Sequence, residues 1–477
     1  MDLEFIRPTL KYIPEVSHPR RHVSFNEKVS WTGAILILFF IMGVIYPYGV
    51  SPEKLEERIR GFAQLQIIFA SSMGSIISTG IGPIVTASII LQLLIGSKML
   101  DVDLKKMENR ALFQGTQKIL TVIIAFFEAT ALVVVTHMVD VPVVSGEIVT
   151  FQVIQWLRAF TILQLALGSI ILMYLDEVVS KWGIGSGISL FIAGGVSQVI
   201  ITRSFNILPN PGGGYAGIIP NFIYWMTNGD LQWFMLWPLI GTIIVFLVVV
   251  FGESMRLEIP LSYGGIRGVG GRYPLRFFYV SNIPVILAAA LLMNVSMWAG
   301  FAGVDVNDPA LRVSELSGLQ RAVYFITTNI TLGRLNGILS PDRISEIWDP
   351  SIVVHFIIYA IAFTGLCVLF GQFWVQTTGL GPEEVADQIH QGGMQIPGFR
   401  RDKRVIQRML GKYIPQITII SSVAVGLLAA GADLLGAVGS GTGILLTVGI
   451  IYRLYEEVQK EQMSEMHPMF RRILGKE

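Results

Sequence analysis

Ten stretches of this chain are apolar over about 20 residues, the length a helix needs to cross the roughly 30 Å hydrocarbon core of a bilayer. They fall at 29–48, 75–96, 112–137, 154–175, 184–202, 233–252, 281–302, 352–373, 414–433 and 436–455. Inside a bilayer a segment must satisfy its own backbone, so such segments are read as helices. Composition agrees. Only 14% of the 477 residues are charged (35 basic, 34 acidic) and 52% are apolar, whereas a soluble domain carries about 25% charge. So few charges cannot cover a water-facing surface, and the expected fold is an all-α polytopic membrane protein. A net charge of +1 favours no class of partner. The single cysteine, Cys367, lies in an apolar run, which excludes an intrachain disulfide and a cysteine metal cluster. The first 27 residues are polar, with Arg7, Lys11, Arg20 and Arg21 and no apolar core, so no removable signal peptide is expected.

Ten crossings put both termini on one side, and the positive-inside rule says which. With the N-terminus inside, the inner segments hold 25 Lys and Arg and the outer loops hold 8. Both termini are therefore expected in the cytoplasm. Two inner loops are long and basic. One is 253–280, with Arg256, Arg267, Arg272 and Arg276; the other is 374–413, with Arg400, Arg401, Lys403, Arg404, Arg408 and Lys412. Topology alone needs only a few charges near helix ends, so a docking role stands beside the topological one.

Span five opens with Gly183-Ile184-Gly185-Ser186-Gly187-Ile188 and span ten with Gly439-Ser440-Gly441-Thr442-Gly443-Ile444, an offset of 256 residues. Each is the fifth crossing of its half. Five is odd, so the second half would be inverted relative to the first, as in many transport proteins; two unrelated glycine-rich helix starts would look the same. The implied division is a segment 1–28, a half 29–202, an external loop 203–232, a half 233–455 and a tail 456–477. No βαβ unit surrounds Gly183–Gly187, which makes a dinucleotide loop a poor reading, and neither a Walker A sequence nor HExxH occurs. Before span two, Phe62–Met73 reads FAQLQIIFASSM between Gly61 and Gly74. It is apolar, uncharged and too short to cross. Two readings fit: a helix lying flat in the interface, or a re-entrant segment filling a cavity.

Motifs then accumulate in order: TGIGPIVTA at 79–87, NRALFQG at 109–115, YLDEVVSKWGIGSGI at 174–188, RLEIPL at 256–261, YVSNIPVILAAA at 279–290, GMQIPGFRR at 393–401 and KYIP at 412–415. Together they resemble the SecY family, the central (alpha) subunit of the protein-translocation channel, in its archaeal branch. The match runs from about residue 9 to the MHP at 466–468 and is poor over 138–153, 205–231 and 303–350.

The resemblance implies two inverted halves, helices 1–5 and 6–10, around an hourglass pore. The pore ring would fall on Ile81, Val85, Ile188, Ile192, Ile286 and Leu446, with Leu445 the alternative in helix 10. The plug would be Phe62–Met73, led by Phe62, Leu65, Ile68, Phe69 and Met73. Docking would fall on Arg267, Arg272, Arg400 and Arg401. Implied partners are single-span SecE/gamma-type and beta-type subunits, a ribosome through its RNA or another cytosolic targeting factor, a secretory polypeptide with a signal sequence, and the lipid bilayer. The implied place is the plasma membrane, with no cofactor, no metal and no enzymatic role. Ile81/Val85 and Ile188/Ile192 are i,i+4 pairs, so each pair shares a face, as any packed core would also show. Guanidinium groups in the loops suit phosphate or carboxylate, and the sequence does not choose between RNA and an acidic protein face.

The resemblance also brings together a lateral gate of helices 2, 3, 7 and 8. Thr86 and Asn294 are mid-span. Glu128 is ten residues past Lys118, which is expected to reach the cytoplasmic interface, so Glu128 lies about 15 Å deep. Thr86, Glu128 and Asn294 are expected to form one polar cluster. An acid at that depth costs about 3 kcal/mol on insertion scales, so Glu128 is expected to be protonated or held by Asn294 and a water. The inverted halves alone would also suit a secondary transporter, but that class places ionisable groups at the midplane, and these spans hold few.

Overall fold

A computed structural model describes residues 14–50, 66, 69–97, 99–100, 107–139, 151–210, 213–229, 233–263, 270–301, 318–327, 350–391, 394–395 and 403–466. The spans of the first half are α1 (Phe25–Met42), α2 (Gly82–Gly96), α3 (Met107–Val135), α4 (Phe151–Trp182) and α5 (Gly187–Phe205). A short α6 (Ile218–Thr227) follows on the loop side of α5. The second half holds α7 (Trp237–Ser254), strands β1 (Arg256–Tyr263) and β2 (Gly270–Arg276), α8 (Ile283–Phe301), a short α9 (Gly318–Thr327) and α10 (Pro350–Thr377). It ends with α11 (Pro382–Gln391), β3 (Met394–Gln395), α12 (Lys403–Leu434) and α13 (Gly441–Met466).

Seven of the described helices are long and apolar enough to cross a membrane: α1, α3, α4, α5, α7, α10 and α12. α2 and α8 are apolar but shorter. Each of the ten expected crossings overlaps a helix, with shifted ends. Span two is helical only from Gly82, because residues 75–81 form tight turns in which Gly80 adopts φ +56°; Pro83 then sits in the first turn of α2, where its missing N–H is not needed. Span one ends at Met42 rather than 48.

The two basic loops are not separate excursions. β1 and β2 pair antiparallel, Arg256 opposite Arg276 and Ser262 opposite Gly270, and β3 from the second loop adds to β1 at Ser262–Tyr263. Beside this sheet Val385, Ala386 and Ile389 of α11 bury against Ile406, Leu410 and Ile414 of α12 and against Leu275 and Val280. Loops 253–280 and 374–413 thus share a three-stranded sheet and a small core at one end of the bundle. The all-α expectation holds for the bundle and fails for this unit.

The repeat is visible in hydrogen bonds. In the first half Asp176 of α4 accepts from the Ile188 N–H at 2.9 Å, in the first turn of α5, with Ser186 at the cap. In the second half Asp433 of α12 accepts from the Thr442 N–H at 2.9 Å and the Thr442 hydroxyl at 2.5 Å, in the first turn of α13. A carboxylate from the fourth span therefore satisfies an amide that the start of the fifth leaves unpaired. The helix-start glycines make this close approach possible. A methyl group on Gly187 would meet the Asp176 Cα at 2.5 Å, and one on Gly441 would collide with the Ala432 carbonyl. The capped amide is that of Ile188 in one half and of Thr442 in the other.

Gly441→Ala is expected to lower the unfolding temperature in detergent, by overpacking of about 1–3 kcal/mol. Gly365→Ala, where nothing lies within 4 Å of the added carbon, is expected to leave it unchanged. Differential scanning fluorimetry of both variants checks the contrast.

Candidate functional site

A cavity of about 580 Å³ opens at the end of the bundle that carries the sheet unit. Its walls come from α2, α3, the start of α5, the start of α8 and the end of α10. Among the described residues, no side chain lining it is charged. Ser88, Gln92, Gln114 and Gln117 contribute amide and hydroxyl groups, and Ile84, Leu287 and Trp374 contribute apolar surface. Such a wall holds water without gripping an ion.

The inner wall of the cavity includes Val85, Ile188 and Ile286. Three of the six expected ring residues therefore face one space. Ile81, Ile192 and Leu446 do not line it. They are fully buried in the same apolar cluster as Val85 and Ile286, with Ile188 packed against it. Leu445, the alternative in α13, is also buried there.

Beyond Ile81 lies the end of the short apolar segment. Phe62, Leu65 and Ile68 fall outside the described residues; Phe69 and Met73 do not. Phe69 and Ala70 are buried. The Phe69 carbonyl accepts from the Ile81 N–H at 2.8 Å, and an added carbon on Gly82 would touch the Phe69 ring at 3.2 Å. Ala70 takes φ +46° and approaches Gly195 of α5. Ser72 donates to the Gly43 carbonyl at 2.8 Å. This end of the segment is held inside the bundle against α1, α2 and α5.

The three polar gate residues meet. Asn294 Nδ2 donates to Thr86 Oγ1 at 2.8 Å, and Thr86 Oγ1 lies 2.8 Å from Glu128 Oε1. All three are buried. The order differs from the expectation: Thr86 sits between the other two, and Asn294 does not hold Glu128 directly. Thr86 also lies 2.9 Å from the Gly82 carbonyl. One hydroxyl proton cannot serve both acceptors fully. A protonated Glu128 resolves the conflict by donating to Thr86, which frees the Thr86 proton for Gly82. Among the described residues, Asn294 Oδ1 is buried with no hydrogen-bond partner, so the cluster is less completely satisfied than a closed network.

Lys118 of α3 pairs with Glu177 of α4 at 2.8 Å, and Lys181, four residues from Glu177 on the same helix, pairs with that carboxylate at 2.8 Å. Of the docking residues, Arg267, Arg400 and Arg401 lie outside the described residues, and Arg272 sits in β2 opposite Pro260. Lys403 is engaged by Asp387 of α11 at 2.6 Å. The sequence reading missed the glutamines of the cavity. Their signal is period: Ser88 and Gln92 are four apart, which puts both on one face of an otherwise apolar α2.

The chain matches the SecY family model over residues 75–455. It is 45% identical to the protein translocase subunit SecY of Methanothermobacter thermautotrophicus over 482 residues, covering 99% of each chain. It is similar to the solved structure of a protein-conducting channel, at TM-score 0.80 and 43% identity over 97% of this chain and 98% of the other. Sec61 in the canine ribosome–channel complex superposes at TM-score 0.77 and 43% identity, covering 97% and 98%. The chain belongs to the SecY family. As a family member it is a multi-pass membrane protein of the channel fold.

A double-mutant cycle on Glu128→Leu and Asn294→Leu is expected to show coupling of about 0.6–1.7 kcal/mol, the range for hydrogen bonds between membrane helices. Additive unfolding energies in detergent would show that the Thr86 bridge transmits nothing.

Proposed function

We propose that this SecY-family chain is the channel subunit that passes unfolded secretory polypeptides across the membrane and releases apolar segments sideways between α2 and α8. The observation that carries this reading is an uncharged cavity ending on Val85, Ile188 and Ile286, backed by the buried Ile81, Ile192 and Leu446. An apolar constriction sheds water and stops ions, while its side chains yield around a chain of any sequence. Charged walls would hold some substrates and stall them. Phe62–Met73 would close the far side of the ring at rest; the buried Phe69 and its bond to Ile81 support that role over a flat interfacial helix.

The Thr86–Glu128–Asn294 cluster would hold α2, α3 and α8 together until an apolar signal segment replaces its contacts with lipid-like ones. The basic sheet unit, with Arg267, Arg272, Arg400 and Arg401, would face the cytoplasm and dock a ribosome, in keeping with the likeness to Sec61 in a ribosome complex. Single-span SecE/gamma-type and beta-type subunits would pack on the lipid-facing surface. The charge bias places both termini in the cytoplasm, and the plasma membrane is the proposed location. The chain supplies a path and no driving force.

In planar bilayers, replacing Ile81, Val85, Ile188 and Ile192 with Ser is expected to raise resting ion conductance while the protein stays folded, because a hydroxyl-lined ring stays wet. Deleting Phe62–Met73 is expected to give flickering leakage, since the ring still partly closes. Unchanged conductance in both variants would remove the channel reading. A cysteine at position 407, in a chain with Cys367 replaced, is expected to resist impermeant reagents applied outside intact cells; labelling there would reverse the topology.

A further inference from the structure

Between the sheet unit and the ring lies a set of charged and buried polar groups that the channel reading leaves unused. β1 begins two residues after α7 ends, and β2 leads directly towards α8. At that root Arg256 and Arg276, opposite each other across the hairpin, both pair with one carboxylate, Glu456 of α13, Arg256 at 3.4 Å. The Glu456 side chain is only 17% exposed. Tyr452, one turn earlier, lies 3.5 Å from Arg256.

One further turn inward α13 meets a buried knot. Asn282, at the start of α8, donates to the carbonyls of Leu445 and Leu446 at 3.3 and 3.4 Å. Glu253, at the end of α7, is buried beside it with Oε1 unpartnered. Gly449 lets the three helices close: an added carbon there would meet Glu253 Oε1 at 2.8 Å and collide with Asn282. Leu446 is a ring residue, and Ile286 is one turn beyond Asn282. On its outer reach α13 is also tied to the first half, through Glu461 and Lys28 of α1 at 3.0 Å.

We infer that Glu456 is a positioning residue that links the docking hairpin to the pore ring. A displacement of the hairpin root cannot occur without moving α13, because two guanidiniums share one carboxylate. Nor can α13 shift alone, because Asn282 holds its backbone at Leu445 and Leu446. Seating of a partner on the hairpin would therefore move Leu446 and Ile286 together, and α8 carries Asn294 of the gate cluster as well. Such coupling needs α13 and α8 to shift as one unit, and the bonds from Asn282 to the Leu445 and Leu446 carbonyls join them. The inference rests on the channel reading and adds to it the route by which docking reaches the ring.

The test uses the full chain in planar bilayers, with purified ribosomes as the docking probe. Binding and conductance are recorded for the natural protein, Glu456→Gln and Glu456→Asp. The natural protein is expected to bind ribosomes and to open on binding. Glu456→Gln is expected to bind with unchanged affinity and keep its resting conductance. Its ribosome-stimulated opening should fall at least about fivefold, the lower end of typical coupling between sites. Glu456→Asp, which retains the carboxylate, should keep most of the response. Full stimulation in Glu456→Gln overturns the inference and leaves the channel reading standing. So does a parallel loss of ribosome affinity, which would make Glu456 part of the docking face itself. A natural protein that binds no ribosome, or does not open, removes the docking reading first and this inference with it.

Discussion

A bilayer offers no water to satisfy a polar group, and the architecture of this chain follows from that deprivation. Wherever a helix starts, bends or breaks at depth, another helix supplies the missing partner. Asp176 and Asp433 serve the starts of α5 and α13. The turns before α2 are met by α4: Ser169 donates to the Gly80 carbonyl at 3.0 Å and accepts from Thr79 at 2.5 Å. Asn282 reaches the backbone of α13. Since apolar association between helices gains little in lipid, small residues and such bonds define the packing. The glycines at 187, 441 and 449 belong to the same requirement, each letting a polar group come close to a neighbouring backbone.

The same scarcity explains how one bundle is firm in some places and loose in others. The aspartate-capped starts are doubly bonded and seated on glycine. The Thr86 cluster is not: its hydroxyl stands between two acceptors, and Asn294 Oδ1 has no partner. A polar site with an unmet group is strained in lipid and is relieved by any rearrangement that lets water or another donor in. That property is useless in a scaffold. It suits the lateral gate proposed between α2, α3 and α8.

Much of this was legible in the sequence because the bilayer enforces length. Ten apolar runs map onto ten helices, and the glycine-rich starts of spans five and ten mark the two halves. The grouping was legible too: counting ten residues from Lys118 set Glu128 level with Thr86 and Asn294, and the three meet. Pairing order was not legible. Which of three polar groups stands in the middle depends on helix rotation, and α2 is apolar enough that its period barely shows. The sheet was missed for a related reason. RLEIPLSY alternates as a strand should, but the strand is eight residues long and its second partner, β3, lies more than 130 residues away.

The contrast between the two ends of α8 carries the argument one step further. At one end Asn282 is locked onto the backbone of α13, where side-chain changes cannot weaken the acceptor. In the middle Asn294 contributes a single side-chain contact to Thr86. The end anchored to backbone is tied to α13, so a shift of one helix carries the other, whereas the side-chain contact at the centre is the weaker constraint. On the proposed channel reading, the polar seam at Thr86 parts at lower cost than the attachment of Asn282 to α13.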